Sequence, residues 1–375
     1  MNKRILFITG TRADFGKLKP LMKCVEDSKS FTCNIFVTGM HLLKRYGETH
    51  DEIRKSGFDN LYLYINQIVN TENDQMDIIL GKTIDGLGHY LREFETDLII
   101  VHGDRVEALA GAVVGALNNT PVCHIEGGEI SGTVDELIRH SITKLSHIHF
   151  VANDSAKKRL LQMGESEKSV FIIGSPEVDI MLSNDLPNLD DVKKRYDILY
   201  EDYSIFIYHP ITTELSDLRA KIKIVLSALK KSSRKYIVIY PNNDSGSNII
   251  MDELDIFKKD KDFKFFPSLR FEYYITLMKN SRFIIGNSSA GVREAPVYGV
   301  PSINIGSRQN NRSKDSSIIN VNENELEIID AINNIPDRFT PSLNFGKGKS
   351  SELFMKTIST KLFWKIPNQK QFKDL

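Results

Sequence analysis

VHGDRVEALAGAVVGALNNTPVCHIEGGEISGTVDELIR, residues 101–139, is the stretch that decides the fold of this chain. An apolar run over 97–102 leads into it, small residues fill 105–117, and a second apolar run covers 121–125. Short apolar runs without polar alternation are typical of strands buried on both faces of a parallel sheet. The pattern therefore predicts a strand–helix–strand crossover.

Each of these two strands ends in a cluster of polar residues. HGDR at 102–105 follows the first strand, and HIEGGE at 124–129 follows the second. Ligands of open parallel sheets bind outside the carboxyl ends of the strands. Because neighbouring strands lie about 4.8 Å apart, we expect Asp104 and Glu126 to converge on a common substrate atom.

A third acid follows at the start of the next helix. Thr133 and Glu136 have the spacing of a capping box, with Thr133 as the N-cap residue. Asp135 then lies in the first helical turn, and Arg139 lies one turn further along the same face. In the alternative interpretation, Asp135 and Arg139 form a solvated pair on the helix surface and Asp104 only caps a helix. Three acids at strand ends or a helix start instead favour a functional site.

Length and composition describe an ordinary globular protein. The chain has 375 residues, 41% of them apolar and 26% charged, so we expect two to three domains. Its 49 basic residues balance its 49 acidic ones, so no overall charge attracts nucleic acid or a membrane, and an anion must bind at a local site. The apolar runs are too short for a signal peptide or a membrane span, which predicts a cytoplasmic location. The three cysteines lack CxxC spacing and are expected to be buried thiols rather than disulfides.

The first predicted strand, over 4–9, leads into a polar loop that carries Arg12 and Lys17. The five residues between Gly10 and Gly16 exceed the four of a P-loop, and a leucine follows Lys17 where a Mg²⁺-binding hydroxyl should stand. The loop also lacks a GxGxxG fingerprint. It is therefore expected to seat a phosphate through its two cations, with plain solvation of both as the alternative.

Strands and helices alternate along the chain, with a polar, proline-containing break at 184–188. Before the break we predict further strands at 31–38, 61–65, 148–151 and 170–173, and helices at 15–27 and 75–93. After it we predict strands at 204–208, 236–240, 263–266, 283–285 and 302–305, and helices at 213–230, 247–257, 271–279 and 291–298. The fold class is α/β, with two doubly wound Rossmann-like domains facing a central cleft. The expected domains are 1–183 and 187–348, and a helix within about 350–375 rejoins the first.

Polar clusters also end the strands of the second domain. His209 directly follows a strand, where a structural role and a catalytic one both remain open. YPNNDSGS at 240–247 offers amides and hydroxyls for a base or a ribose. GNSSAGVREAP at 286–296 opens a helix with small residues, whose N–H groups are expected to approach a diphosphate. Arg308 and Arg312 add cationic partners for phosphate.

Six motifs make the chain resemble, along essentially its whole length, the UDP-N-acetylglucosamine 2-epimerases, and within them the hydrolysing branch that begins sialic acid synthesis. The motifs are TRAD (11–14), HGDR (102–105), HIEGGEISGT (124–133), DELIRH (135–140), YPN (240–242) and GNSSAGVRE (286–294). The resemblance implies a glycosyltransferase-B-like fold with a carboxy-terminal helix that crosses back to the first domain.

The resemblance also implies the roles of individual residues. Asp104, Glu126 and Asp135 match the catalytic carboxylates, and His209 matches a histidine near the leaving diphosphate. The residues that match nucleotide contacts are Arg12, Arg105, Asn242, Ser288, Ser289, Glu294 and Arg308. The implied substrate is a UDP-sugar and the implied product UDP, with no cofactor, metal, nucleic acid or membrane, in a homodimer or homotetramer.

Two positions separate the branches of the family. The non-hydrolysing branch usually has paired glutamates at 135–136 and His-Arg-Arg-Glu at 209–212, where this chain has Asp-Glu and His-Pro-Ile-Thr. The difference favours the hydrolysing branch and leaves open whether Asp135 or Glu136 takes part in proton transfer. The expected reaction eliminates UDP to a glycal and then hydrates it.

Four alternatives remain open at this stage. The same chemistry could act on a UDP- or GDP-linked 2,4-diacetamido sugar in the synthesis of legionaminic-type acids. A glycosyltransferase of the same two-domain fold and a nucleotide-sugar sensor without chemistry are two further readings of the pattern. The last is a metal hydrolase that uses His102, Asp104, His124 and Glu126.

Overall fold

The computed structural model describes residues 2–67, 75–131, 134–242, 244–309 and 312–373. The backbone divides into two compact units. Unit 1 comprises Met1–Glu129, Asp135–Ser183 and Asn344–Leu375, and unit 2 comprises Ile130–Val134 and Asn184–Leu343.

A parallel sheet of seven strands forms the centre of the described part of unit 1. The strands are β1 (Lys3–Thr9), β2 (Phe31–Val37), β3 (Leu61–Leu63), β4 (Leu98–His102), β5 (Val122–Ile125), β6 (Ile148–Val151) and β7 (Val170–Ile172). Their order is β3-β2-β1-β4-β5-β6-β7. The order reverses between β1 and β4, and the carboxyl ends of two such strands are where open α/β sheets bind their ligands.

The helices before residue 184 are α1 (Arg12–Glu26), α2 (His50–Lys55), α3 (Met76–Glu93), α4 (Val106–Leu117), α5 (Val134–Leu145), α6 (Asp154–Gln162) and α7 (Pro176–Met181). The predicted crossover is β4–α4–β5, and its strands are paired neighbours. A Cβ atom at Gly111 would lie 2.3 Å from the Ile8 side chain. The small residues of α4 therefore allow the helix to pack directly on the sheet.

Helix α1 begins earlier than residue 15, where the sequence placed it. The Thr11 side chain accepts a hydrogen bond from the Asp14 N–H at 3.1 Å, which is the N-cap contact that starts a helix. The predicted cap of α5, Thr133, lies outside the described residues.

Six parallel strands form the sheet of unit 2 within its described residues. They are β8 (Ser204–Ile207), β9 (Tyr236–Ile239), β10 (Phe263–Phe266), β11 (Ile284–Gly286), β12 (Ser302–Ile305) and β13 (Ile318–Val321). The order β10-β9-β8-β11-β12-β13 reverses between β8 and β11. The prediction of two doubly wound α/β domains is confirmed.

The helices of unit 2 are α8 (Leu189–Tyr196), α9 (Leu218–Lys231), α10 (Ser247–Asp255), α11 (Phe271–Lys279), α12 (Ala290–Arg293) and α13 (Glu325–Asn333). The single helix predicted over 291–298 is wrong. The α-helix ends at Arg293, and a 3₁₀ turn, Ala295–Tyr298, follows it, because Pro296 has no N–H to continue the ladder.

The chain after residue 344 packs on unit 1. Helix α14 (Ser350–Ile358) buries Phe354 completely, with its ring edge-on to Phe150 at a centroid distance of 5.1 Å. Both carboxylate oxygens of Asp179 accept hydrogen bonds from the first N–H groups of α14, each at 2.7 Å. The helix predicted within about 350–375 is α14. After it and a 3₁₀ turn, Phe363–Lys365, the backbone at Ile366 is extended, as a residue before proline favours.

Lys370 anchors the last part of the described chain. Its ammonium lies 2.6 Å from Glu165 Oε2 and donates hydrogen bonds to three carbonyls at the end of α5, those of Thr143, Lys144 and Ser146. Glu165 is 1% exposed and also binds the buried His149 at 3.0 Å. A cation at the carboxyl end of a helix satisfies carbonyls that have no partner within the helix.

The three cysteines are free thiols, and Cys33 and Cys123 are buried. None of the helices in the described part of the chain has both the length and the apolar character that a membrane span requires.

Candidate active site

His102 and Asp14 meet at the point where the strand order of unit 1 reverses. His102 ends β4, and its Nδ1 lies 2.8 Å from Oδ1 of Asp14, in the first turn of α1. The other oxygen of Asp14 accepts a hydrogen bond from the Gly10 N–H at 3.2 Å. The turn that follows β1 therefore fixes the carboxylate that holds the imidazole.

Glu126, directly after β5, lies on the other side of the same ring. Its Oε2 is 3.3 Å from His102 Nε2, and the residue is 4% exposed. The backbone of Glu126 has a φ of 64°, in the left-handed region that residues other than glycine seldom adopt. Such strain persists where the surrounding structure imposes it, most often at functional sites.

The two carboxylates determine the charge of His102. Burial alone would lower the pKa of this histidine, but the negative charges of Glu126 and Asp14 and their hydrogen bonds raise the pKa to about 9. His102 is therefore an imidazolium at neutral pH, held between two acids.

Arg139 of α5 joins two further motifs to this cluster. Its Nη1 donates to the backbone carbonyl of Glu126 at 2.8 Å, and its Nη2 donates to the Asp104 carboxylate. Arg139 is 2% exposed, so the solvated pair with Asp135 that the sequence also allowed is wrong. The buried Arg139 guanidinium thus connects the Asp104 carboxylate to the Glu126 backbone.

Asp135 and Glu136 differ in their surroundings. Both lie in the first turn of α5 and are half-buried. The Glu136 carboxylate pairs with His140 Nε2 at 3.7 Å, one turn further along the helix. Asp135 lies one helical turn before Arg139, the residue that binds the Asp104 carboxylate.

The metal-site alternative required His124 to point toward His102, Asp104 and Glu126. Instead, its Nε2 lies 2.8 Å from the Gly103 carbonyl and its Nδ1 lies 3.1 Å from the Thr143 hydroxyl. Burial lowers the pKa of His124 to about 3. In the described ranges, no group of three or more His, Cys, Asp or Glu side chains is arranged to hold a metal ion.

The two arginines predicted to contact the nucleotide from unit 1 lie beside glutamates. Arg12 Nε donates to Glu52 at 2.9 Å, and Arg105 Nε donates to the buried Glu107 at 3.3 Å. These ion pairs hold both guanidinium groups close to the carboxyl ends of β1 and β4.

In unit 2, His209 and Asn287 meet at the corresponding reversal of strand order. His209 follows β8 and Asn287 follows β11. The Asn287 side chain accepts from the His209 N–H at 2.7 Å and donates to the His209 carbonyl at 2.9 Å. Asn287 is fully buried, so it fixes the backbone from which the imidazole projects.

A backbone hydrogen bond selects the tautomer of His209. The Asn242 N–H donates to His209 Nδ1 at 3.3 Å. Because an amide N–H only donates, Nδ1 accepts, and the proton of the neutral ring is on Nε2. The ring therefore offers an N–H donor at Nε2.

Four of the predicted nucleotide-binding residues lie on the segment after β11 or contact it. Gly286 has a φ of 130°, and a Cβ there would lie 1.9 Å from the Ile207 carbonyl oxygen, so only glycine fits. Ser288 Oγ accepts from the Ala290 N–H at 3.3 Å, and Ser289 is the N-cap residue of α12. Arg308 donates to the Asn287 carbonyl at 3.2 Å. Glu294, at the end of α12, is 3% exposed.

Sequence reasoning gave no role to Asp14 or Asn287 and considered His102 only as a metal ligand. All three lie inside motifs that were quoted for the resemblance: His102 ends β4, Asn287 follows β11, and Asp14 lies in the first turn of the helix after β1. That position was the available signal, because side chains at the switch point of a parallel sheet face the ligand crevice.

Residues 23–359 match the sequence profile of the family described as UDP-N-acetylglucosamine 2-epimerase. This chain belongs to the UDP-N-acetylglucosamine 2-epimerase family. The family predicted from the six motifs is thereby confirmed, and the match covers both units.

Three relatives are similar to this chain over most of its length. The chain is 48% identical to the UDP-N-acetylglucosamine 2-epimerase of Neisseria meningitidis serogroup B, over 100% of this chain and 99% of the relative. It is 34% identical to the polysialic acid biosynthesis protein P7 of Escherichia coli, over 88% of this chain and 85% of the relative. It is 32% identical to a UDP-N,N'-diacetylbacillosamine 2-epimerase (hydrolyzing) of Legionella pneumophila, over 96% of each.

A solved structure of the family shares the fold. The crystal structure of the Methanocaldococcus jannaschii UDP-GlcNAc 2-epimerase, in complex with UDP-GlcNAc and UDP, superposes with a TM-score of 0.80 at 22% identity. The match covers 95% of this chain and 99% of that one.

Proposed function

We propose that this chain is a hydrolysing UDP-N-acetylglucosamine 2-epimerase, which converts UDP-GlcNAc and water to UDP and free N-acetylmannosamine at the start of sialic (nonulosonic) acid synthesis. The observation that carries the proposal is the buried network of unit 1, in which Arg139 holds Asp104 and Glu126 at neighbouring strand ends. The similarity to the Neisseria UDP-N-acetylglucosamine 2-epimerase supports the epimerase activity, and the similarity to the Escherichia coli polysialic acid biosynthesis protein supports the pathway.

The reaction needs carboxylates because the C2 proton of the sugar is not acidic by itself. Departure of UDP from C1 gives the ring positive character, and a carboxylate then removes the proton from C2. The C2–H electron pair becomes the C1=C2 bond of 2-acetamidoglucal. In the second half, an acid returns a proton to C2 from the opposite face, and water adds to C1.

The residues of unit 1 supply the acid–base groups in this proposal. Glu126 and Asp135 are the acid–base pair, and Asp104, fixed by Arg139, maintains the geometry of the site. Asp135 is assigned rather than Glu136 because the resemblance matches Asp135 to a catalytic carboxylate of the family.

The residues of unit 2 hold the nucleotide in this proposal. The Nε2–H of His209 donates to an oxygen of the departing diphosphate, as its tautomer allows. Arg308 balances the charge of the diphosphate. Arg12 and Arg105 remain predicted nucleotide contacts of unit 1. Asn242, Ser288 and Ser289 offer amide and hydroxyl groups, and the Glu294 carboxylate accepts from ribose hydroxyls.

Two observations support the hydrolysing branch. The chain has Asp135 and His-Pro-Ile-Thr at the positions where the two branches differ. The Legionella relative, aligned over 96% of this chain, carries the description "hydrolyzing".

The test is to identify the products formed from UDP-GlcNAc by proton and phosphorus NMR. Free N-acetylmannosamine together with UDP is the expected result. UDP-N-acetylmannosamine without free sugar would contradict hydrolysis. If UDP-GlcNAc is unchanged while a UDP- or GDP-linked 2,4-diacetamido sugar is hydrolysed, the proposed sugar is wrong and the reaction type stands.

A further inference from the structure

His102 has no step in the reaction proposed above, yet its surroundings are closely defined. The imidazole side chain is 9% exposed. Asp14 approaches one ring nitrogen at 2.8 Å, and Glu126 approaches the other at 3.3 Å. Only one of these two acids, Glu126, is placed among the acid–base groups.

Two acids beside the ring favour its charged form. A neutral imidazole has one N–H and one lone pair, so it would present a lone pair to one of the two carboxylates. With both nitrogens protonated, each carboxylate faces a donor. The groups facing the ring are Asp14 from α1 and Glu126 after β5, and His124 of β5, whose pKa is lowered by burial, lies near it as a neutral ring.

We propose that His102 is a positioning residue that acts through Glu126: anchored by Asp14, it keeps Glu126 ionised and oriented, so that Glu126 is the group that accepts the C2 proton. The inference rests on the hydrolysing epimerase function proposed above. When the C2–H bond breaks, the proton moves to Glu126 and the electron pair forms C1=C2. The C1–O bond breaks before this step, and its electrons leave with UDP.

The backbone of Glu126 supports this role. Its left-handed conformation is held by the Arg139 hydrogen bond to its carbonyl and by its own N–H, which donates to the Phe150 carbonyl at 2.9 Å. With the backbone fixed on two sides, the imidazolium sets the direction and charge of the side chain. Asp14 in turn is held by the Gly10 N–H, so the relay begins at the end of β1.

His102→Gln tests the proposal, because glutamine retains a donor without the positive charge. We expect a kcat about 100-fold lower at neutral pH with KM nearly unchanged, in the range of general base catalysis. Without the imidazolium, Glu126 ionises less readily, so the acidic limb of the pH profile of kcat moves to higher pH and activity recovers in alkaline buffer. Equal loss at every pH, or near-normal kcat, would overturn the proposal.

Asp14→Asn provides a second variant that leaves the histidine in place. We expect a smaller shift of the same limb in the same direction, and no further shift when both substitutions are combined, because both act through one relay. An Asp14→Asn profile that coincides with the wild-type profile would contradict the anchoring role.

His147→Gln is the matched control. His147 is a buried histidine of unit 1 whose Nδ1 accepts a hydrogen bond from the Val122 N–H at 3.0 Å, and burial lowers its pKa. This substitution is expected to reduce stability without moving the pH profile. A shift of the profile in the control as large as in His102→Gln would overturn the assignment to His102.

A spectroscopic measurement on the wild-type protein covers the case in which a variant does not fold. With ¹⁵N-labelled histidine, one buried ring should show two protonated nitrogens at neutral pH and lose one proton near pH 9. A neutral His102 at neutral pH would contradict the proposal. If wild-type protein forms no product from any nucleotide sugar, the proposed function fails; if it turns over and the His102 results are negative, only this inference fails.

Discussion

Asn287 binds both backbone polar atoms of His209, at 2.7 Å to the nitrogen and 2.9 Å to the carbonyl oxygen. This reciprocal pair spans β8 and β11, where the strand order of unit 2 reverses. Unit 1 has a related contact between Asp14 and His102, across β1 and β4. In each unit, a histidine at the switch point of a doubly wound sheet is fixed by a side chain from the neighbouring strand end.

Replacing Asn287 by Ala should reduce both activity and stability. The variant leaves the buried N–H and C=O of His209 without their partner, which should lower the free energy of unfolding by about 2–4 kcal/mol. The backbone from which the imidazole projects is then no longer held in place. We expect kcat to fall about 100-fold, measured by UDP release, with a lower urea midpoint. Asn304→Ala, which removes a buried amide contact to Asn320 elsewhere in unit 2, should lower stability alone. Unchanged kcat in Asn287→Ala would contradict the positioning role.

Replacing Arg139 by Lys should separate the charge of this residue from its geometry. Lysine retains the charge but not the planar fork that binds the Asp104 carboxylate and the Glu126 carbonyl together. We expect kcat/KM to fall about 100-fold and the free energy of unfolding to fall by about 2 kcal/mol. Arg4→Lys, in an exposed pair with Glu95, is the control. Equal activity in the two variants would show that activity does not require Arg139 to bind Asp104 and Glu126 together.

The acid stability of the protein should depend on Glu165. Burial by itself would raise the pKa of Glu165, but the hydrogen bond from His149 and the Lys370 charge lower the pKa to about 2. A carboxyl group whose pKa is lower in the folded state than in the unfolded state stabilises the fold at pH values above its unfolded-state pKa. This stability is lost as the pH falls through the folded-state pKa. Between about pH 4.5 and pH 2, the wild-type protein should therefore lose about 3 kcal/mol of stability that the Glu165→Gln variant does not lose.

Urea unfolding at several pH values measures this dependence. Glu167→Gln, in an exposed pair with Lys157, should keep the wild-type pH dependence. If Glu165→Gln also keeps it, the buried cluster at Lys370 does not control acid unfolding.

Replacing Phe354 by Ala should destabilise unit 1 by about 3–5 kcal/mol, the usual cost of emptying a buried phenylalanine site. Phe354 is fully buried and packs against Phe150. Leu353→Ala, at a position that is 37% exposed, should cost much less. Similar urea midpoints for the two variants would mean that α14 contributes little to the core.

The sequence predicted the crossover β4–α4–β5 closely, because apolar runs and small residues report burial directly. It missed α7, α8, β13 and α13, of which α8 and β13 are the clearest cases. Helix α8 is LDDVKKRY, with Val192 as its buried residue, and β13 is a four-residue edge strand without full burial. Short polar elements of this kind carry little periodic signal.

The carboxylates of the candidate site were predictable, and the contacts among them were not. Asp104 and Glu126 end neighbouring strands, so their proximity follows from the sheet. Asp14 and His102 are 88 residues apart in the chain, and the orientation of their side chains depends on the Thr11 cap and on the turn at Gly10. These side-chain orientations depend on three-dimensional packing, which the sequence pattern does not report.

Incubation of the wild-type protein with UDP-GlcNAc in D₂O, followed by proton NMR of the released sugar, directly tests elimination and hydration at C1 and C2. The proposed reaction breaks the C2–H bond and later returns a solvent proton to C2. We therefore predict free N-acetylmannosamine with deuterium at C2, together with UDP. A released sugar that keeps its original proton at C2 would contradict the proposed chemistry.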